Sequence, residues 1–360
     1  MKVLIIRLSA IGDTIHSLPV AASIKQRLPN AHIGWVVEPL SAPLLVGNPC
    51  VDEVFVLPRK EWMRKLRSPL NWPSVLTEVN NFWSDIRNKQ FDVALDLQGL
   101  LKSALCAVAS GAPKRVGFSH TREGSGLFLT DKALVGNYFA PDRHIVSVNL
   151  EVASYLFRTL GLPPVSTDEP IQFPLPAVPA SSNDKVDKLI GRDLFPAVLI
   201  PGTTWPSKIW PSEKWTNLAK LIHGEMQLPV VLAGGPGDKE VNVQIAAQLK
   251  AENLPVIDIT GETSLLDLIA LYERSKLVIG SDSGPMHLAA ATGKPKVIGV
   301  FGSTPYKRLE PLGINSRSVS LSLSCQPCFT QVCPLSTNAC LNELSEIQVL
   351  TVAKELLAIN

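Results

Sequence analysis

Charge is scarce in this chain. Asp, Glu, Lys and Arg make up 18% of its 360 residues and hydrophobic residues 46%, where an average soluble protein is roughly 25% charged. That balance excludes a disordered chain and describes a folded one with much of its length turned inward. Neither sign is in excess: the formal charge is +2 and the pI is near 8.2, too even to imply a nucleic-acid partner. Long apolar runs are missing as well. None reaches the roughly 18 residues that a membrane span needs, and the first apolar stretch is broken by Arg7 and Asp13, so it reads as a first strand and not as a signal peptide. With no export signal the chain is expected in the cytoplasm, its six cysteines mostly reduced. Two familiar phosphate signatures are also absent. No Gly-x-x-x-x-Gly-Lys-Ser/Thr run occurs and no Gly-x-Gly-x-x-Gly follows a strand, which argues against a P-loop NTPase and an ordinary dehydrogenase.

What is present is alternation. Lys2–Arg7 is a short continuous apolar run of the kind buried on both faces of a parallel sheet. A loop and a helical spacing of Ile15, Leu18, Ala21, Ala22 and Ile24 follow it, with Pro19 disturbing the first turn. Further strands are predicted at Ile33–Val37, Val54–Leu57, Phe91–Leu97 and Arg115–Phe118, with helices at Pro73–Asn88, Leu100–Ser110 and His144–Leu160. Six prolines between Pro163 and Pro179 mark a linker, placed at residues 163–182 between domains 1–162 and 183–360. The second series runs Ala197–Ile200, Val230–Ala233, Val256–Ile259, Leu277–Ile279 and Val297–Phe301, and closes with a helix near Ile347–Leu357 that is free to pack back on the first domain. The reading is α/β: two doubly wound parallel-sheet domains facing each other across a cleft. Ligands of such sheets lie outside the carboxyl ends of the strands.

The loop after Leu277–Ile279 is Gly280-Ser281-Asp282-Ser283-Gly284-Pro285-Met286-His287. A helix starting at Pro285 or Met286 would aim unpaired N–H groups and its dipole at an anion such as a pyrophosphate. Asp282, of the wrong charge for phosphate, would cap that helix or meet a sugar hydroxyl, and a plain N-cap at Asp282 or Ser283 explains the loop equally well. Two more loops share the sheet edge: Pro201-Gly202-Thr203-Thr204-Trp205-Pro206-Ser207-Lys208 and Gly234-Gly235-Pro236-Gly237-Asp238. Gly280-x-Asp282-x-Gly284 also has the shape of a hydrolase nucleophile elbow. The last histidine of the chain, His287, lies too near Asp282 to complete a triad.

Taken together, Ser9-Ala10-Ile11-Gly12-Asp13, Asp96-Leu97-Gln98-Gly99-Leu100-Leu101-Lys102-Ser103, Thr203-Thr204 with Lys208 and Trp210-Pro211, Gly234-Gly235-Pro236 and Asp282-Ser283-Gly284-Pro285-Met286-His287 resemble glycosyltransferase family nine, the ADP-heptose:lipopolysaccharide heptosyltransferases. The resemblance implies a GT-B fold, a second domain binding ADP-heptose, a first domain binding a lipid-linked core sugar, and inversion at the anomeric carbon. It makes Asp13 the base that receives the acceptor proton, where spacing alone allows an N-cap equally. It gives Thr203, Thr204, Lys208, Gly234, Gly235, Asp282, Ser283, Gly284, Pro285, Met286 and His287 to the donor. Asp238 joins them as a ribose contact, with Glu240 competing. Arg59, Arg64, Gln98, Lys102 and Arg122 are expected at an acidic acceptor. The basic amphipathic stretch Arg59–Arg67 equally suits an anionic membrane surface or a solvated face.

Cys325, Cys328, Cys333 and Cys340 form Cys-x2-Cys-x4-Cys-x6-Cys, a spacing that is not that of a common zinc ribbon. They are assigned a structural role, and no metal or cofactor enters the expected reaction. Thr203-Thr204 and Asp96-x-Gln98-Gly99 resemble the first-heptose enzymes and the cysteine tail the second-heptose enzymes, which leaves the acceptor sugar open. Two further functions stay in view: a nucleotide-sugar epimerase of the same fold, which needs no acceptor site, and a non-catalytic nucleotide-sugar binding protein, which could lose Asp13 without consequence.

Overall fold

The computed structural model describes residues 1–119, 121 and 123–359. The chain divides into two compact units, Met1–Ala140 with Ile145–Ala177, and Pro141–His144 with Val178–Asn360. Among the described residues no helix is long and apolar enough to cross a membrane.

The first unit is built on strands β1 (Lys2–Ile6), β2 (His32–Val37), β3 (Glu53–Val56), β4 (Val93–Asp96), β5 (Lys114–Phe118) and β6 (Asp131–Ala133), all parallel, in the order β3-β2-β1-β4-β5-β6. Ile6 pairs with Val36 on one side and Asp96 on the other, so the loops after β1, β2 and β4 emerge side by side. Pro19 acts as its chemistry requires. It has no N–H to continue a helix, so the path breaks after Ile11–Ile15 and restarts at Leu18–Arg27 with the proline in its first turn. The proline-rich stretch is strapped to this unit rather than spanning free. Arg27 donates to the carbonyls of Pro163 and Pro164, and Asn48 Nδ2 donates to that of Pro174 at 2.7 Å. The strap ends where the helix Ala180–Ile190 starts with Pro179 at its N-cap, so residues 163–177 travel with the first unit.

The second unit repeats the plan with β7 (Ala197–Ile200), β8 (Val230–Leu232), β9 (Val256–Asp258), β10 (Leu277–Ser281), β11 (Lys296–Val300) and β12 (Ser316–Val319), in the order β12-β11-β10-β7-β8-β9. Its core gathers Trp210 and Trp215, packed edge to face with centroids 4.9 Å apart, against Leu277 and Ile279. The closing helix Glu346–Ala358, capped by Ser345, buries Val349, Leu350, Ala353 and Leu356 in this same core. Its apolar face is thus spent within its own unit. In each sheet the order reverses beside the first strand, at β1/β4 and β7/β10, the position where doubly wound sheets bind ligands.

Candidate functional site

In the second unit, the loops after β7, β8 and β10 meet at the β7/β10 reversal. Ser281 Oγ donates to the Pro201 carbonyl at 3.0 Å, and Thr203 Oγ1 donates to the Asp282 carbonyl at 3.3 Å. The loop after β8 is locked to the loop after β7 by Asp238. Its Oδ2 accepts the Gly235 N–H at 2.7 Å, and a Cβ at Gly202 would stand 2.0 Å from its Cγ. Only glycine fits there. The Asp238 carboxylate, expected at a ribose, is engaged here as a loop brace.

Asp282 is the hub. Its side chain is 5% exposed, and its Oδ2 takes the Lys208 ammonium at 2.8 Å and the Thr304 hydroxyl at 2.7 Å, while Oδ1 faces His287 Nε2 at 3.5 Å. Burial pushes this carboxyl's pKa up, but His287 and Lys208 more than offset it and hold it well below the usual carboxylate range. Asp282 therefore neither caps the helix nor points to solvent: it is the counterion that fixes Lys208. Lys208 also stacks over the Trp205 ring at 4.6 Å.

The helix Gly284–Thr292 starts with Ser283 at the N-cap position, and the Ser283 side chain makes no capping bond. Its buried hydroxyl has no partner among the described residues. With Pro285 in the first turn, the amides at this end are left for an outside acceptor. An ammonium held by Asp282 and an uncapped helix N-terminus thus lie on adjoining loops, N–H donors suited to a diphosphate, with the helix dipole adding positive potential.

The cysteine segment buttresses the same loop. The Ser207 N–H donates to the Gln331 carbonyl at 3.1 Å, Phe329 stands 5.8 Å from Trp205 ring to ring, and the Phe329 N–H donates to the Ser303 carbonyl at 2.8 Å. All four of its cysteines are free thiols. Among the described residues no three His, Cys, Asp or Glu side chains converge as a metal-ion site. Backbone amides of Asn338, Leu335 and Thr337 around Cys333 lower its thiol pKa, whereas burial raises that of Cys340 to about 11.

In the first unit, Asp13 occupies the third position of the helix Ile11–Ile15, where its Oδ2 accepts the Ala10 N–H at 3.1 Å. The cap and the chemistry are not exclusive, because Oδ1 is held by Arg7 Nη2 at 2.6 Å and the side chain is 41% exposed. Arg7 is buried at the end of β1 and also donates to the Leu97 carbonyl. Burial would lower its pKa, but Asp13 and Tyr138 leave it raised. Of the expected acceptor residues, Arg59 pairs with buried Glu38 at 2.9 Å, and Lys102 lies within electrostatic range of Glu38, Arg59 and Arg7, its pKa lowered by burial. Gln98 is drawn inward instead: its Oε1 accepts the Leu8 N–H at 3.0 Å, which makes it a tie between the β1 and β4 loops. Arg64 stands exposed on the helix Arg59–Lys65, and Arg122 lies outside the described residues. Sequence reading missed Arg7 and Thr304. Arg7 was visible as the one charge closing an apolar strand, and Thr304 follows β11 at the same sheet edge as the loops that were read.

The chain matches the family model described as "Glycosyltransferase family 9 (heptosyltransferase)" over residues 79–338. The chain belongs to that family. It is 25% identical over 312 residues to the lipopolysaccharide core heptosyltransferase OpsX of Haemophilus influenzae, covering 85% of this chain and 82% of that one. It is 26% identical over 356 residues to lipopolysaccharide heptosyltransferase 1 of Escherichia coli K12, covering 96% and 100%. The structure of E. coli heptosyltransferase WaaC with ADP superimposes with a TM-score of 0.76 at 23% identity, covering 99% of this chain and 100% of that one. The fold is GT-B, and the protein is a glycosyltransferase.

Proposed function

We propose that this glycosyltransferase moves heptose from ADP-heptose to an inner-core sugar of lipopolysaccharide, with inversion. The observation that carries the reading is Lys208, fixed by buried Asp282 beside an uncapped helix N-terminus at the β7/β10 reversal. That arrangement suits a nucleoside diphosphate, and the WaaC structure of the same fold carries ADP. The curated relatives act, by their names, on the lipopolysaccharide core.

In this reading the acceptor hydroxyl attacks the anomeric carbon opposite the diphosphate. Its proton passes to Asp13, whose carboxylate Arg7 and the Ala10 amide hold in one orientation. The new C–O bond forms as the bond to the diphosphate breaks, and that electron pair leaves on ADP. Lys208, the Thr203 and Thr204 groups and the Gly284–Met286 helix start stabilise the charge that develops there. Gly234 and Gly235 let the backbone approach the donor closely, with His287 beside it. Transfer is proposed to need no metal ion, and EDTA is expected to leave the rate unchanged. Arg59 and Lys102 meet the acidic groups of the acceptor, a lipid-linked sugar that places the reaction at the cytoplasmic face of the inner membrane.

The test is incubation with ADP-heptose, with and without deacylated core acceptors, following ADP release and product mass. An acceptor-dependent glycoside supports the reading. ADP release without a glycoside sinks it, and epimerised donor in the absence of acceptor favours the epimerase.

A further inference from the structure

The helix Arg59–Lys65, the turn Pro69–Asn71 and the start of the helix Trp72–Asn88 form a corner of the first unit with two apolar sides. Trp62 and Val75 point inward and join the core. Met63, Leu66, Leu70, Trp72 and Leu76 point outward, Leu70 being 91% exposed, Leu76 66% and Trp72 52%. Single exposed leucines are ordinary; a group of five on one corner, one of them tryptophan, is not.

The corner is held in place. Trp72 Nε1 donates to the Leu66 carbonyl at 3.0 Å, Asn71 Nδ2 donates to that of Lys65 at 3.1 Å, and the Leu66 N–H donates to Trp62 at 2.9 Å. The apolar side chains are therefore presented by an ordered turn, with no frayed end to expose them by accident.

Its charge is one-sided. Lys60, Arg64 and Arg67 are exposed. The neighbouring acids, Glu61 and Glu78, are both occupied by Lys65, at 3.1 and 2.9 Å. What faces solvent is an apolar tip rimmed by cations, and Lys60, Arg64, Lys65 and Arg67 outnumber Glu61 and Glu78 four to two, so the corner keeps a net positive charge. A second copy of the chain fits this surface poorly, because a two-fold contact would set the three cations against themselves. An anionic bilayer fits both parts: lipid phosphates meet the cations, and leucine and tryptophan enter the headgroup boundary.

We propose that this corner docks the enzyme on an anionic bilayer surface, with Leu70, Trp72 and Leu76 as the inserted residues and Lys60 and Arg67 as lipid-phosphate contacts. The proposal rests on the function above only for where the acceptor lies, and its test needs neither donor nor acceptor. The full-length chain is sedimented with phosphatidylcholine vesicles and with vesicles of equal parts phosphatidylcholine and phosphatidylglycerol. Binding is expected to the anionic vesicles, to weaken with salt, and to fall by about ten-fold or more in Leu70→Ser/Leu76→Ser. Lys60→Ala/Arg67→Ala loses anionic preference, each charge being worth about five-fold. The leucine variant keeps the parent's circular dichroism spectrum and melting temperature, which shows that it is folded. No binding to anionic vesicles at low salt overturns the proposal, as does a leucine variant that binds like the parent. A dimer in sedimentation equilibrium that the leucine change dissociates overturns it in favour of self-association.

Discussion

Replacing Lys208 with methionine keeps a chain long enough to lie on Trp205 and removes only the ammonium that stands 2.8 Å from Asp282 Oδ2. Asp282 is then left 5% exposed with the Thr304 hydroxyl and His287 as partners. Breaking a buried pair by deleting one member costs about 3–5 kcal/mol, because the surviving charge stays buried. A domain of this size loses roughly 2–4 °C of melting temperature per kcal/mol, so calorimetry is expected to show the second unit melting about 6–20 °C lower at pH 7. Adding Asp282→Asn removes the stranded charge and keeps an acceptor for Thr304. The double variant is expected to melt within about 5 °C of the parent, a coupling of about 2 kcal/mol or more. The pH dependence has a definite sign. In the parent, Asp282 is held below the carboxylate range, so its stabilisation is present above the unfolded pKa and is lost as pH falls through the lower folded value. In Lys208→Met His287 still lowers that pKa but the lysine's share is gone, so the pKa lies above the parent's and the deficit against the parent shrinks as pH falls through the variant's own, higher value. A single variant melting within about 2 °C of the parent at pH 7, or a double variant no better than the single, would refute the counterion argument.

Three further outcomes follow from the geometry. Asp13→Asn is expected to lower turnover by about 10²–10⁴-fold while ADP affinity, measured by calorimetric titration, changes less than about two-fold; loss of ADP binding would demote Asp13 to a structural cap. Iodoacetamide at pH 7.5, read by peptide mass spectrometry, is expected to modify Cys333 early, since backbone amides stabilise its thiolate, and Cys106 last, since burial raises its thiol to about 12. Burial lowers His144 to about 4, where its Nε2 meets the Glu310 carbonyl at 3.0 Å. The unfolded chain therefore takes up a proton near pH 6.5 that the folded chain refuses, and stability falls between about pH 6.5 and 4 by up to about 3 kcal/mol. His144→Asn is expected to flatten that part of the melting-temperature profile, and an unchanged slope contradicts the assignment.

The two sheets were legible because a strand buried on both faces of a parallel sheet must be a continuous apolar run, as Val3–Ile6 and Val198–Ile200 are. β6 and β12 escaped notice for the converse reason: they are the outermost strands of one sheet edge each, and Asp131-Lys132-Ala133 and Ser316-Arg317-Ser318-Val319 carry the polar residues that such edges tolerate. The loops of the second unit could be read from their glycines and their place after strands. The work of Asp282 could not, because a carboxylate after a strand looks the same whether it caps a helix, meets a sugar or neutralises a lysine. Which of these it does is decided by Lys208 and Thr304, brought in from other strands. Gln98 shows the same limit from the other side: its motif suggested a ligand, and the fold turned its side-chain carbonyl towards the Leu8 amide.

Gly202 has a thermodynamic consequence. With the Asp238 carboxylate occupying the space of a side chain at residue 202 and gripping the Gly235 amide, the floor on which a nucleotide would rest is braced by the chain's own side chain. Little backbone freedom remains there to be surrendered on association. Discrimination among nucleotides then depends on how well each one fits a fixed surface. Any larger residue at 202 would wedge the two loops apart, and the protein would bear the cost of ordering them each time a ligand bound.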